Sequence, residues 1–139
     1  MFLQETEIMF LDEPTSGLDP AKTEEIHSLI LDKVQTGCTV FLTTHNMVEA
    51  EKLCEKIALL HEGNIVEQGH PKEICRKYNH QKKIYIHRYD GEDEELPNNS
   101  IAAERLYRLM QEEQIETIHS TEPNLESVFM ELTGKSLNV

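Results

Sequence analysis

The chain has 139 residues, of which 38% are hydrophobic and 28% charged, enough apolar material for one core and a small appendage. Acidic residues outnumber basic residues 26 to 13, and the formal net charge is −13. Because a phosphate backbone is bound mainly by Lys and Arg, this balance excludes nucleic acid as an expected partner. The sequence contains no apolar run close to the roughly 20 residues of a membrane span and no recognisable export signal. We therefore expect no membrane insertion and a cytoplasmic location.

The charge is distributed unevenly along the chain. The net charge is −9 over residues 1–69, +5 over residues 70–89 and −9 over residues 90–139. Two acidic segments joined by a basic connector indicate two structural units. We expect the first unit to span residues 1–80 and the second to span residues 81–139.

The first segment predicts a strand, a helix and a second strand. Residues 7–11 form an apolar run, which is typical of a strand buried on both faces. Asp19 and Pro20 then predict a helix start that leads to a helix ending at Gly37, and residues 38–44 form a second buried strand. This order implies parallel strands in an α/β sheet, with functional groups at their carboxyl ends.

Three further elements complete the first unit. Asn46, with Glu49 three residues later, resembles a capping box that opens the next helix. Residues 57–67 predict a β-hairpin around a Glu-Gly turn, and Pro71 opens a short basic helix.

The second unit predicts a small α+β fold. In chain order, we expect a strand at 82–89, an acidic turn-rich stretch at 90–99, a helix near 100–113, a strand near 114–119 and a helix from about 124 that ends at 134. In the helix near 100–113, the residues predicted to face inward are Ile101, Leu106, Leu109 and Met110.

Two adjacent carboxylates, Asp12 and Glu13, follow the first strand. Because unpaired buried charge is costly, such a pair is useful where something cationic or protic must be held. Mg²⁺ is usually held by one or two carboxylates with water and phosphates, and phosphoryl transfer also needs a group that orients or deprotonates the nucleophile. The alternative is a pair of solvated acids at a strand end.

His45 ends the second strand, so its side chain is expected to converge on the same sheet edge as the two carboxylates. The other histidines lack companions with metal-ligand spacing. We interpret them as surface or packing residues: His27, His61, His70, His80, His87 and His119.

The run from Leu11 to Pro20, LDEPTSGLDP, resembles the Walker B motif and D-loop of ABC-type ATPases, and the Thr-Thr-His sequence ending at His45 resembles their switch histidine. The resemblance implies that Asp12 helps to hold Mg²⁺ through water. It also implies that Glu13 is the general base for ATP hydrolysis and that His45 contacts the γ-phosphate.

The same resemblance implies a set of partners. Ser16, Gly17 and Asp19 would belong to the loop that meets the nucleotide site of a second ATP-binding subunit, in a homodimer or a heterodimer. A membrane permease subunit would be the other partner, with the protein peripheral on the cytoplasmic face of the membrane. Residues 122–134 are similar to the C-terminal ending of ABC ATPases that serve exporters.

A phosphate-binding loop of the form G-x-x-x-x-G-K-[ST] is not found in the 139 residues. Gly134, Lys135 and Ser136 match only the end of that motif, and we interpret Gly134 as the end of a helix. Residues 1–80 thus resemble the C-terminal half of an ABC nucleotide-binding domain, a partial P-loop NTPase sheet, followed by an α+β extension. We expect a fragment of an exporter-type ATP-binding protein that hydrolyses MgATP only in its complete form.

Two alternatives remain open. In the first alternative, the chain is a nucleotide-independent interaction or regulatory module that binds an intact ABC subunit. In the second, it belongs to an ABC-type ATPase that serves DNA repair or translation. The acidic charge balance and the exporter-like ending count against the latter.

Overall fold

The computed structural model describes residues 7–134, which form five α-helices and seven strands in three small sheets. In chain order the elements are β1 (Ile8–Asp12), α1 (Pro20–Gln35), β2 (Thr39–Thr43), α2 (Met47–Leu53), β3 (Ile57–His61), β4 (Asn64–Gly69), α3 (Pro71–Lys77), β5 (Lys83–Arg88), β6 (Asp93–Pro97), a 3₁₀ turn (Ser100–Ala102), α4 (Ala103–Gln111), β7 (Ile115–Ser120) and α5 (Leu125–Thr133). Within residues 7–134, every helix is too short or too polar to cross a membrane.

Strands β1 and β2 form a parallel pair joined by helix α1, as the sequence predicts. The register places Ile8 opposite Thr39 and Asp12 opposite Thr43. Helix α1 begins where expected, because the Asp19 carboxylate accepts a hydrogen bond from the Lys22 backbone N–H at 3.0 Å. This β-α-β unit aligns the carboxyl ends of the two strands at one edge.

The expectation that β1 and β2 are buried on both faces is wrong for the described chain. Ile8, Phe10 and Phe41 are 54%, 75% and 59% exposed, and the two phenylalanine rings lie 5.7 Å apart on the open face. Helix α1 packs along β2, and within residues 7–134 the sheet has only these two strands. An apolar run in the sequence predicts a strand, but it does not determine whether other elements cover both faces of that strand.

The main core lies between helices α2, α3 and α5 and the antiparallel β3–β4 hairpin. Its buried members are Ala50, Leu59, Ile74, Leu125, Val128 and Phe129. Helix α5, the last element of the described chain, therefore packs against elements from the first 80 residues. The division at residues 80 and 81 remains a prediction.

Further buried apolar side chains lie in the antiparallel sheet β6-β5-β7 and in the 3₁₀ turn and helix α4. Ile86, Ala102 and Leu109 are 1%, 2% and 0% exposed. Two of the inward positions predicted for this helix are wrong, because Ile101 is 79% and Met110 60% exposed. Ile101 lies in the 3₁₀ turn before α4, and Met110 follows the buried Leu109 by about 100° of helical rotation.

The acidic stretch at 90–99 contains a strand that the sequence pattern does not indicate. Strand β6 pairs with β5 over five residues, with Asp93 opposite His87 and Glu94 opposite Ile86. Glu94 forms ion pairs with Arg88 and Arg105, which compensate charges that would otherwise disfavour a strand at this place. Side-chain pairing in three dimensions overrides the local turn propensity.

Helix α5 begins and ends as predicted. Asn124 and Ser127 form a reciprocal capping box at its start, and Gly134 adopts a left-handed conformation with φ of 66° at its end. The Gly134 backbone N–H donates to the Met130 carbonyl at 2.7 Å. Gly134 is thus a helix terminus, while Lys135 and Ser136 lie outside the described residues.

Candidate active site

The candidate site lies at the carboxyl ends of β1 and β2. The parallel register brings Asp12 beside Thr43, whose hydroxyl donates a hydrogen bond to Asp12 Oδ1. The pairing continues one residue past the strand, because the Glu13 backbone N–H donates to the Thr43 carbonyl at 2.8 Å. The two carboxylates are therefore held at the same edge by backbone and side-chain contacts with one strand.

Glu13 and His45, which the sequence predicts to share this edge, are in direct contact. The His45 backbone N–H donates to Glu13 Oε1 at 2.8 Å, and His45 Nδ1 lies 2.7 Å from the same oxygen. The other carboxylate oxygen, Oε2, lies 3.5 Å from the Thr44 hydroxyl. The His45 side chain is 73% exposed and the Glu13 side chain 34% exposed, so the pair opens to solvent.

Glu13 has an unusual backbone conformation. Its φ is +46°, in the left-handed region that residues other than Gly, Asn and Asp seldom adopt. The conformation turns the chain sharply after β1, and the Ser16 backbone N–H closes the turn by donating to the Glu13 carbonyl at 3.1 Å. Strain of this kind persists only where the surrounding contacts enforce it.

The remaining predicted site residues lie in the loop between β1 and α1. Ser16 and Gly17 are exposed, and the φ of Gly17 is 75°. Asp19 caps α1 and forms an exposed ion pair with Lys22 at 3.7 Å. The structure thus brings Asp12, Glu13 and His45 together, and presents Ser16, Gly17 and Asp19 on the exposed loop that follows.

Sequence reasoning missed a buried polar cluster behind this loop. Thr15, His27 and Glu49 are 8%, 5% and 1% exposed, and the Thr15 hydroxyl donates to Glu49 Oε1 at 2.6 Å. The capping box expected at Asn46 is only half present, because the Asn46 side chain accepts from the Glu49 N–H but the Glu49 carboxylate points inward.

One sequence signal was available for this cluster. His27 lies three residues before Ile30 and seven before Val34, so it shares the apolar stripe of α1. The interpretation of His27 as a surface or packing residue is therefore incomplete, because the side chain is buried and hydrogen-bonded to a carboxylate.

A metal ion at this edge would have few protein ligands. Within residues 7–134, no group of three or more His, Cys, Asp or Glu side chains is arranged to hold a metal ion. Asp12 offers carboxylate oxygens at an exposed strand end beside the Thr43 hydroxyl. This donor set fits Mg²⁺, which prefers oxygen and commonly takes one or two carboxylates while water and phosphates supply the rest.

Sequence comparisons identify the relatives of the chain. Residues 1–51 match the family model described as "AAA domain, putative AbiEii toxin, Type IV TA system". The fluoroquinolones export ATP-binding protein of Mycobacterium tuberculosis is 37% identical over 139 residues, covering 97% of this chain and 46% of that protein. Nod factor export ATP-binding protein I of Rhizobium leguminosarum bv. viciae is 31% identical over 153 residues, covering 97% of this chain and 49% of that protein.

Two solved structures are also similar. The ATP binding subunit of an ABC transporter is 28% identical, with a TM-score of 0.48 over 53% of this chain and 31% of its own. The protein cbiO1 from Clostridium perfringens, part of the ABC transporter complex cbiONQ, is 34% identical, with a TM-score of 0.45 over 52% of this chain and 32% of its own.

The two parallel strands of the β-α-β unit belong to an α/β fold, and they bring two carboxylates and a histidine to one edge of the sheet. The chain is homologous to ABC transporter ATP-binding proteins, and the two relatives named above match 97% of its length. It spans about half the length of the curated relatives it matches, consistent with their C-terminal half.

Proposed function

We propose that this chain supplies the hydrolytic edge of an ATP-binding protein that powers export through a membrane permease. The observation that carries the proposal is the contact between Glu13 and His45, which joins a carboxylate and an imidazole at the shared end of two parallel strands. The export role is supported by the printed names of the relatives, which are export ATP-binding proteins.

In this proposal Asp12 helps to hold Mg²⁺ through water. Its carboxylate is exposed, and the Thr43 hydroxyl fixes its orientation by binding Oδ1. When bound, Mg²⁺ would neutralise part of the charge on the phosphates of ATP. Asp12 alone would bind it weakly, because the remaining ligands must come from water and the nucleotide.

Glu13 is the general base. Its Oε1 is occupied by two hydrogen-bonding groups of His45, whereas Oε2 has only a long contact with the Thr44 hydroxyl at 3.5 Å. We therefore assign Oε2 as the atom that accepts the proton of the attacking water. A base must lie within hydrogen-bond reach of the proton it removes, and the contacts at Oε1 hold the carboxylate in place for that role.

His45 orients Glu13 and contacts the terminal phosphate. Because a carboxylate oxygen only accepts, the proton in the contact between Nδ1 and Oε1 belongs to His45 Nδ1. The His45 side chain is 73% exposed. A hydrogen bond from its other ring nitrogen, Nε2, to a phosphate oxygen requires a proton there as well, so in this proposal His45 makes both contacts as the imidazolium.

The loop of Ser16, Gly17 and Asp19 meets a second ATP-binding subunit in this proposal. All three residues are exposed, and the loop connects the catalytic carboxylate directly to helix α1. Residues 1–80 would carry this edge of the site, and residues 81–139 would form the extension. The assembly would be peripheral on the cytoplasmic face of the membrane, bound to the permease.

The test is a fusion that joins this chain to the segment of the Mycobacterium tuberculosis relative that precedes the matched region. We expect the fusion to release phosphate from MgATP, and Glu13→Gln to lower kcat at least about 100-fold while nucleotide binding is retained. Glu104→Gln is the matched control, because Glu104 is exposed in α4 and its carboxylate pairs with Arg108.

Two results would contradict the proposal. A folded fusion that releases no phosphate would remove the proposed function. Glu13→Gln with a kcat close to that of Glu104→Gln would remove the role of Glu13 as base.

A further inference from the structure

Glu49 is a buried carboxylate that lies behind the candidate site. It is the third residue of helix α2, and its side chain is 1% exposed. Burying a carboxylate is costly unless hydrogen bonds and charge pairing compensate for the lost hydration. The partners of Glu49 therefore indicate what its burial achieves.

A single oxygen of Glu49 accepts from two other segments of the chain. The Thr15 hydroxyl donates to Oε1 at 2.6 Å, and His27 Nε2 lies 3.1 Å from the same atom. Because the carboxylate only accepts, His27 Nε2 is the donor. The other ring nitrogen, Nδ1 of His27, is buried and has no hydrogen-bond partner among the described residues, so the ring is committed to Glu49.

Glu49 is held in its ionised form. Burial by itself would raise the pKa of its carboxyl group, but hydrogen bonds, chiefly that from Thr15 together with that from His27, outweigh burial and lower the pKa below its usual value. The cluster is thus a charged centre that these two neighbours stabilise.

The cluster joins the two segments that carry the catalytic pair. Thr15 lies two residues after Glu13. Helix α2 follows His45 closely, because its N-cap is Asn46. His27 also connects Glu49 to α1, the helix that begins directly after Asp19. Contact between Glu49 and Thr15 therefore links the backbone that carries Glu13 to the helix that begins after His45.

We propose that Glu49 is a positioning residue that acts through Thr15 and His27 to hold Glu13 against His45. A well-packed apolar cluster would often support folding as well as a buried ion does, so the retained charge is best explained by the orientation that its hydrogen bonds impose. The link to hydrolysis rests on the proposed function, whereas the coupling of the loop to α2 does not.

The first test uses the chain itself and needs no nucleotide. Thr15→Val keeps the shape of the side chain and removes its hydroxyl, and Thr15→Ser is the matched variant that keeps the hydroxyl. The reporters are the Glu13 N–H, which donates to the Thr43 carbonyl, and the His45 N–H, which donates to Glu13 Oε1.

We expect Thr15→Val to speed amide hydrogen exchange at Glu13 and His45 about tenfold relative to wild type, since a lost buried hydrogen bond corresponds to roughly that factor. Exchange in the β3–β4 hairpin should be unchanged, and Thr15→Ser should restore slow exchange at both reporters. Equal acceleration throughout the chain, or none at Glu13 and His45, would overturn the coupling.

The second test uses the fusion described above. We expect Thr15→Val to lower kcat about tenfold or more with little change in KM, and Thr15→Ser to recover most of the loss. If Thr15→Val alters exchange at Glu13 and His45 but leaves kcat unchanged, the catalytic part of the proposal is wrong. If the wild-type fusion is inactive, the proposed function fails while the exchange experiment still decides the coupling.

Discussion

His87 is a single side chain that pairs with carboxylates on two neighbouring strands. It lies on β5, its Nδ1 is 2.5 Å from Asp93 on β6, and its Nε2 is 3.5 Å from Glu116 on β7. The hydrogen bond to Asp93 raises the pKa of His87 above its ordinary 6.5, with smaller contributions from neighbouring carboxylates. A protonated His87 thus joins three strands that would otherwise present like charges to one another.

We expect Asp93→Asn to return the pKa of His87 toward 6.5, as measured by NMR titration of the ring. Because the pKa is raised in the folded protein, the contact stabilises the fold below pH 6.5, and the contribution is lost as the pH rises through the raised value. Identical titration curves for wild type and Asp93→Asn would contradict this account.

Residues that act through local sequence were predictable, and residues that act across the fold were not. Asp12, Glu13 and His45 follow apolar runs directly, so the parallel pairing of the runs was enough to bring them to one edge. Glu49 has the spacing of a capping residue, and only the packing of α1 against α2 turns its carboxylate toward Thr15 instead.

At the scale of elements, Glu67 connects the β3–β4 hairpin to helix α3. Its Oε2 accepts from Lys77 Nζ at 2.9 Å and from the Tyr78 hydroxyl at 2.7 Å, and its Oε1 accepts from the Gln68 N–H at 3.0 Å. These hydrogen bonds, that from Lys77 first, lower the pKa of Glu67 from 4.5 to about 2. The Glu67 side chain is 13% exposed, whereas Lys77 is 66% exposed, so the carboxylate is shielded from solvent and the ammonium group is not.

We expect Glu67→Gln to lower the midpoint of thermal unfolding at pH 7. A lowered pKa stabilises the fold above about 4.5, and the contribution disappears as the pH falls toward about 2. The difference in midpoint between wild type and Glu67→Gln should therefore shrink steadily between pH 5 and pH 2. The comparison between the two proteins cancels the effect of the other acidic groups, and a difference that does not depend on pH would rule out this role.

Elements with a cap and a regular apolar stripe were predictable, as α1 and α5 illustrate. Strand β6 was not, because Glu94 and its neighbours read as a turn-rich stretch until Arg88 and Arg105 are placed beside them. Arg88 belongs to a neighbouring strand and Arg105 to helix α4, so no local window of sequence contains the whole interaction.

At the scale of the whole molecule, helix α5 holds the last part of the chain against the first. Leu125 and Val128 are 0% and 1% exposed in the core shared with α2, α3 and β3. The Leu125 backbone N–H also donates to Glu51 Oε1 at 2.6 Å, which ties the start of α5 to α2. The sequence predicts the helix itself, but the elements that α5 packs against are visible only in the structure.

We expect Leu125→Ala to lower the free energy of unfolding by about 2–5 kcal/mol, the usual effect of removing a large side chain from a core. Met130→Ala is the matched control, because Met130 lies in the same helix and is 44% exposed. Its effect should stay within about 0.5 kcal/mol in urea denaturation. Similar losses for both variants would contradict the core role of Leu125, because Ala is the better helix former and a loss at the exposed Met130 would have a different cause.

The left-handed backbone at Glu13 sets the stability of the fold against the catalytic role proposed for this residue. A Glu in this conformation costs on the order of 1 kcal/mol or more, and Gly or Asn would adopt it with less strain. Selection or design for folding alone would therefore drift toward Gly or Asn at position 13. The persistence of Glu there would mark a lineage that is still selected for its chemistry, and its loss would mark one maintained only as a scaffold.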